Sequence, residues 1–285
     1  MYKVAILGCE NSHANFFLEY FVEKKVVGDV EVMGVYSDDA EAARKLQAQF
    51  GVNVMEHYDD FVGKLDGLII TARHGDNHYK YAKPYLGDGI PMFIDKPITV
   101  SEKDAREFRR ELEENRIPVS GGSMCMYDGL VQELKKAVED RTYGVVYGGS
   151  LRSPVSLDNI YGGFYFYSQH LVQVLGEIFG YYPRSVQAFP GKNAYTCVFR
   201  YEGYDVTGVY VEGNYTYYAG ISCEKEYVGG MYALENCAER EVEAFYRILT
   251  GGSQEMSYED FFAPVYILNA IHRSVQSGKE EAISF

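Results

Sequence analysis

A chain of 285 residues, 47% hydrophobic, with no run near the ~18 consecutive apolar residues of a membrane span, is a globular sequence long enough for two cores. Its formal net charge of -14, with no dense Lys/Arg stripe, repels a phosphate backbone and argues against nucleic acid as a partner. The cysteines Cys9, Cys125, Cys197, Cys223 and Cys237 are odd in number, widely spaced and without a CxxC pair. That pattern argues against a disulfide framework or structural zinc and fits a reducing compartment.

The N-terminal MYKVAILGCE has no basic segment followed by a long apolar core and a cleavage site, so it reads as a first strand and the protein as cytoplasmic. Tyr2 to Leu7 runs into Gly8, and SHANFFLEYFVEKK then carries aromatics at helical spacing. VEVMGVYS is the next strand, with Asp38 placed to cap the helix DAEAARKLQAQF before Gly51. A short VNVM strand and a helix around Tyr58 to Gly63 follow, then a strand at Leu68 to Thr71 and a helix over Asn77 to Leu86. Met92 to Ile94 is a buried strand that delivers Asp95, Lys96 and Pro97 at its carboxyl end. Ser101 and Asp104 form a capping box for the helix to Asn115, and IPVSGG adds one more strand.

This alternation predicts a doubly wound parallel sheet of the Rossmann type. Its ligand edge lies outside the carboxyl ends of the strands, where Thr71, Ala72, Arg73, Asp95 and Lys96 would face a cofactor. A dinucleotide fingerprint GxGxxG aligns with Gly8-Cys9-Glu10-Asn11-Ser12-His13, so only the first glycine is present. Glu10 stands where backbone should approach a pyrophosphate, and a carboxylate there costs Coulomb energy unless it turns away. Two readings stand for the turn. In one, Asn11 or Ser12 caps the first helix and His13 is a partly exposed first-turn residue; in the other, Ser12 and His13 contact a ligand. Ser37 occupies the place of the ribose-binding acid, Asp38 can substitute, and no Arg follows to pair with a 2'-phosphate, which favours NAD over NADP.

From about Met126 the rhythm changes. DGLVQELKKAVED is an amphipathic helix, GVVYGGSLRS a strand, and NIYGGFYFYSQHLVQVLGEIFG an aromatic-rich helix carrying His170 and Gln173. Strand-like runs follow at SVQAF, YTCVFRYEG, YDVTGVYVEG and YTYYAGISCE, with Glu202-Gly203 as a hairpin signal. EREVEAFYRIL and YEDFFAPVYILNAIHRSVQSG close the chain as helices. These elements predict an α+β domain with a largely antiparallel sheet, and hence domains at residues 1–124 and 125–285. One sheet face can carry the helices. The other, rich in Tyr and Val, asks for a second subunit, so a homo-oligomer is expected, a dimer or tetramer through this sheet. No spacing of His, Asp and Glu along the sequence resembles a metal site.

With Gly8, TARHGDNH, IDKP, the GGFYFYSQHLVQVLGEIFG helix and SYEDFFAPVYILNAIHRSVQSGK in this order, the chain resembles the glucose-fructose oxidoreductase / inositol dehydrogenase / MocA (Gfo/Idh/MocA) family over nearly its whole length. The resemblance implies hydride exchange between a nicotinamide cofactor and a carbinol carbon of a sugar, inositol or related polyol. It implies that Lys96, in the family's EKP position, sits near the reacting hydroxyl, and that His170 binds or deprotonates it. A base that removes the hydroxyl proton and an ammonium that lowers its pKa suit such chemistry. Further candidates for substrate contact are His74, His78, Arg152, Tyr161, Tyr165, Tyr167 and Gln173, although His78 also suits the wall between the fourth strand and its helix. Where many family members carry aspartates around the histidine, this chain has Phe166 and Gln173. Those changes and Glu10 motivate an alternative, a relative that has lost redox chemistry and works as a small-molecule binding or regulatory protein.

Overall fold

Four consecutive fully buried residues, Val4 to Leu7, place strand β1 (Tyr2–Leu7) at the interior of a parallel sheet, with polar Lys3 left at its exposed start. The computed structural model describes residues 1–234 and 237–285. Beside β1 lie β2 (Val30–Tyr36) and β3 (Gly67–Ile70), then β4 (Met92–Asp95) and β5 (Val119–Gly122), in the order β2-β1-β3-β4-β5. All four pairings are parallel. The connections are the helices α1 (Ser12–Leu18), α2 (Ala40–Phe50), α3 (Asp76–Ala82) and α4 (Glu102–Glu114). This is the doubly wound sheet predicted from the alternation, and it reverses direction between β1 and β3, where such sheets bind ligands.

Several details differ from the sequence reading. Asp39, not Asp38, caps α2, accepting from the backbone of Glu41 and Ala42, and Gly51 closes it in the left-handed region. The VNVM segment contributes only a single bridge, Val35 to Val54, and Tyr58 to Gly63 is a run of turns. Helix α1 passes into a π-helical turn at Glu19–Glu23, and α3 into a 3-10 turn at Lys83–Asp88. Ser101 caps α4 through Asp104 N, as expected.

Helix α5 (Gly129–Glu139) follows β5. A second sheet then takes the order β11-β10-β6-β9-β8-β7-β12. Its strands are β6 (Val146–Val155), β7 (Ser185–Pro190), β8 (Ala194–Arg200), β9 (Asp205–Glu212), β10 (Tyr217–Cys223), β11 (Tyr227–Tyr232) and β12 (Glu281–Ala282). Only β6 and β9 pair in parallel, so the sheet is largely antiparallel. β8 and β9 form the hairpin signalled by Glu202-Gly203. Strand β11 escaped the sequence reading because Gly229-Gly230 interrupts its alternation. The core of this unit is built by α5, α6 (Tyr165–Phe179) and α8 (Tyr258–Ser277), with Val131, Leu134, Leu171, Leu175, Ile267 and Ile271 packed on Leu151, Phe199 and Tyr210 of the sheet.

The chain forms two compact units, Met1–Gly122 with Ala238–Tyr258, and Ser123–Cys237 with Glu259–Phe285. A single cut after residue 124 does not describe this division, because α7 (Cys237–Leu249) returns to the first unit. The reason is apolar burial: Phe245 of α7 meets Phe17 edge-on with ring centroids 5.8 Å apart, and Phe17 meets Phe93 at 4.8 Å. Val242, Ile248 and Leu249 belong to the same core as Val4, Ile6 and Val35. The five cysteines are buried and none is joined in a disulfide among the described residues. Among the described residues no helix is long and apolar enough to cross a membrane.

Candidate active site

The first unit gathers its chemistry at the carboxyl ends of β1 to β4. Gly8 turns the chain out of β1 with φ +77°, and a Cβ there would lie 2.3 Å from the Ala72 backbone. Only glycine permits that approach. Thr71 Oγ1 donates to Gly8 O at 3.0 Å, and Gly8 N donates to Tyr36 O at 2.8 Å, so the ends of β1, β2 and β3 are tied together. This turn fits a dinucleotide-binding edge. The carboxylate of Glu10, however, accepts from Ser37 Oγ at 2.6 Å and from Arg73 N at 3.0 Å. Glu10 has not turned away. It bridges the ends of β2 and β3 and engages two donors that face this edge.

Asp38 is also engaged, by Tyr36 at 2.7 Å, Tyr81 at 2.9 Å and Lys80 at 3.4 Å. Burial works to raise its carboxyl, but these hydrogen bonds and the Lys80 charge outweigh it and hold the group below its usual range. Asn11 caps α1 by accepting from His13 N, while Ser12 Oγ donates to Asn11 Oδ1 at 3.3 Å. Asn11 Nδ2 also donates to Asp95 Oδ2 at 2.7 Å, reaching the end of β4.

His13 is neither partly exposed nor open to a ligand edge. It is 5% exposed, with Nδ1 2.8 Å from Glu241 Oε2 and 3.6 Å from Asp95 Oδ1. Burial lowers its pKa, but the two carboxylates prevail and the net shift is upward. Burial raises Glu241. These three side chains lie far apart in sequence, so no local spacing reveals them, and Glu241 escaped the sequence reading.

Lys96 follows a 2.7 Å bond from its own N–H to Asp95 Oδ1 and is 4% exposed; the Lys96–Pro97 bond is cis. Its charge acts on His13, His78 and Glu241. His78 is fully buried, with Nε2 2.8 Å from Ala72 O and Nδ1 3.3 Å from Ile98 O. Both nitrogens face backbone carbonyls, and the single N–H of the neutral ring can donate to one of them, which suits a group in the wall between β3 and α3. Burial lowers its pKa. His74 is partly exposed and accepts from Asp76 N at 3.3 Å.

The second unit builds a separate constellation around His170 on α6. Its Nδ1 lies 2.6 Å from Ser123 Oγ and 3.4 Å from Cys125 Sγ, and its ring stands edge-on to Tyr167 at 4.5 Å. Ser123 Oγ also accepts from Cys125 N. Gln173 Oε1 accepts from Ser123 N at 3.4 Å, and Gln173 Nε2 donates to Tyr181 Oη at 2.7 Å. Tyr181 donates to Glu177, whose other oxygen accepts from Lys135 Nζ at 2.8 Å. Burial and the Glu177 charge push the Tyr181 phenol well up, so it remains a donor. Gly176 admits the Tyr181 ring, since a Cβ there would lie 2.2 Å from it.

Gln173 is thus a link in this chain of hydrogen bonds. Tyr165 donates to Asn269, Tyr161 packs on Phe166, and Arg152 donates to Thr216 O at 2.7 Å. Ser123, Cys125, Glu177 and Lys135 were missed. The signal for Glu177 was present: Gln169, Gln173 and Glu177 form a polar i, i+4 stripe on a largely apolar helix.

Residues 2–122 match the family described as an oxidoreductase family with an NAD-binding Rossmann fold, GFO_IDH_MocA. This region belongs to the Gfo/Idh/MocA oxidoreductases. Over the whole chain the fold is that of solved inositol dehydrogenases. Myo-inositol 2-dehydrogenase from Lactobacillus plantarum superposes with a TM-score of 0.86 at 14% identity, covering 99% of each chain. Scyllo-inositol dehydrogenase from Lactobacillus casei, solved with NAD(H) and scyllo-inositol, gives 0.86 at 14% identity, again over 99% of each. The uncharacterized oxidoreductase YhhX of Escherichia coli is 22% identical over 143 residues, 50% of this chain and 41% of that protein.

Proposed function

We propose that the protein is an NAD-dependent dehydrogenase that oxidises a secondary alcohol of an inositol, sugar or related polyol, or reduces the corresponding ketone. The observation that carries this reading is the seating of His170: a buried imidazole with Nδ1 fixed 2.6 Å from a serine hydroxyl, on the helix that the sequence resemblance aligns with the family's histidine helix. With Nδ1–H donated to Ser123 Oγ, Nε2 keeps its lone pair and takes the hydroxyl proton of the substrate. The nicotinamide supplies the hydride acceptor. Lys96, positioned by the Asp95 carboxylate at the end of β4, provides an ammonium that lowers the pKa of the hydroxyl.

Gly8, Asn11, Ser12, Thr71 and Ala72 would form the cofactor's turn, with Ser37 and Arg73 N available once Glu10 releases them. Two consecutive acids after β2, Asp38 and Asp39, oppose a 2'-phosphate, which favours NAD over NADP. Tyr167, edge-on to His170, and the partly exposed His74 are kept as candidates for substrate contact. Location in the cytoplasm and a homo-oligomer through the seven-stranded sheet, where Tyr147, Tyr227 and Met231 are exposed, complete the proposal. The non-redox alternative has less support, since the family and both structural relatives are oxidoreductases.

The test is a thermal-shift titration with NAD, NADH, NADP and NADPH, followed by a polyol screen for reduced nicotinamide. NAD or NADH stabilises the protein in proportion to occupancy, and Lys96→Ala loses turnover by ~10²–10⁴-fold while keeping the fold. Stabilisation by none of the four nucleotides overturns the proposal. Undiminished turnover in Lys96→Ala overturns the role of that residue.

A further inference from the structure

Three buried groups in the first unit meet at one point, and two of them, His13 and Glu241, have no task in the chemistry above. His13 Nδ1, an oxygen of Asp95 and an oxygen of Glu241 lie within 4.8 Å of one another. Their side chains are 7%, 0% and 1% exposed. Among the described residues neither His13 Nδ1 nor either carboxylate oxygen of Glu241 makes a well-directed hydrogen bond, and the 2.8 Å approach of Nδ1 to Glu241 Oε2 is a charge contact. A buried carboxylate without a donor on either oxygen is costly. A single ring nitrogen cannot direct one N–H at two carboxylates.

We propose that His13, Asp95 and Glu241 form a site for one divalent transition cation of the zinc or manganese type. The cation ties the first turn of α1 and the end of β4 to α7, the helix that returns to this unit. One imidazole nitrogen with two carboxylates suits borderline cations and disfavours Mg²⁺ and Ca²⁺, which take oxygen ligands throughout. Three protein ligands leave further positions for water.

With bonds of ~2.0 Å, donors around a tetrahedral cation stand about 3.3 Å apart. The 3.6 Å between Nδ1 and Asp95 Oδ1 already fits, and the 2.8 Å to Glu241 opens by roughly 0.5 Å when the cation enters. Asp95 has the outer support that metal-bound carboxylates receive: Asn11 Nδ2 donates to Oδ2 and Lys96 N to Oδ1, each at 2.7 Å. The site shares Asp95 with the dehydrogenase reading, where that carboxylate holds the Lys96 backbone, but cation binding is read without turnover. Its competitor is a protonated His13 paired with the two carboxylates.

The test uses tag-free protein dialysed against a chelator, titrated with Zn²⁺ and Mn²⁺ by calorimetry and with Co²⁺ by visible absorption. One tight equivalent per chain, a Tm that climbs with cation concentration, and cobalt d–d bands are expected. Glu241→Gln keeps the side-chain shape; it cuts affinity at least tenfold and abolishes the cobalt bands, as does His13→Ala. Cation binding that is equal in wild type and Glu241→Gln, as adventitious binding to this acidic surface gives, overturns the site. So does a wild type whose Tm ignores both chelator and cation, the behaviour of the ion pair alone.

Discussion

Glu10 and Ser37 are joined by a 2.6 Å hydrogen bond, hydroxyl to carboxylate, across the ends of β1 and β2. With Arg73 N on its other oxygen, Glu10 takes the place of an external anion. Any diphosphate must displace it or tolerate its charge, and like charges about 4 Å apart repel by ~4 kcal/mol at an effective dielectric of 20. Glu10→Gln relieves the repulsion and Glu10→Gly also restores the second glycine of the fingerprint. NAD is expected to bind about tenfold tighter to either variant, ~1.4 kcal/mol. Calorimetry checks this, and unchanged or weaker binding in both variants removes Glu10 from the cofactor's path.

In the proposed dehydrogenase, Ser123 would act through His170, to which its hydroxyl is bound at 2.6 Å, rather than on substrate. Ser123→Ala deletes the oxygen that fixes Nδ1, and loss of one such bond costs about 1–1.5 kcal/mol. The expected result is a fall of about tenfold in kcat with KM little changed, together with an altered pH profile of kcat as the ring loses its preferred tautomer. Ser123→Thr, which keeps the hydroxyl, is expected to recover much of the loss. Steady-state kinetics across pH separates these outcomes from a simple loss of folded protein.

His78 gives the first unit an acid limb. Its pKa is lowered in the folded state by burial, with the Asp95 charge opposing and the Lys96 charge reinforcing the effect. Below about pH 6.5 the unfolded chain therefore binds more protons at this position than the folded one, and stability falls as pH drops through that value. His78→Gln keeps a donor for Ala72 O but cannot titrate. It is expected to cost about 1–3 kcal/mol near neutrality and to flatten the decline of Tm between about pH 6.5 and 5. Thermal denaturation at several pH values reads both effects. An acid limb identical to wild type rules His78 out as its source.

Gly8→Ala places a methyl 2.3 Å from the Ala72 backbone at a φ of +77°. Backbone cannot yield as a flexible side chain does, so a loss of about 2–4 kcal/mol is expected. Chemical denaturation measures it. A loss below about 0.5 kcal/mol would mean that the turn rearranges freely.

The parallel sheet was legible because buried strands alternate with capped helices, and each of those signals is local. Gly8 and Lys96 were legible for the same reason, standing at strand ends. The relation of His13 to Asp95 and Glu241 was not, because it depends on α7 crossing back to the first unit, a tertiary fact without a local sequence mark. Ser123 was hidden likewise: a serine after Gly121-Gly122 looks like a turn residue until α6 brings His170 to it. The Asp38 and Asp39 capping error has a chemical cause, since Tyr36 and Tyr81 claim the first carboxylate and leave the second for the helix.

The return of Ala238–Tyr258 governs the order in which the molecule can be made. During synthesis the nascent Rossmann sheet emerges without Val242, Phe245, Ile248 and Leu249, so Phe17 and Phe93 wait uncovered until α7, more than a hundred residues after β5, has been made. A fragment ending at Gly122 would carry that apolar wound permanently and would aggregate. The first unit, although it has the residues of a dinucleotide fold, cannot be cut out and moved as a module; a transplantable version needs α7 grafted onto it.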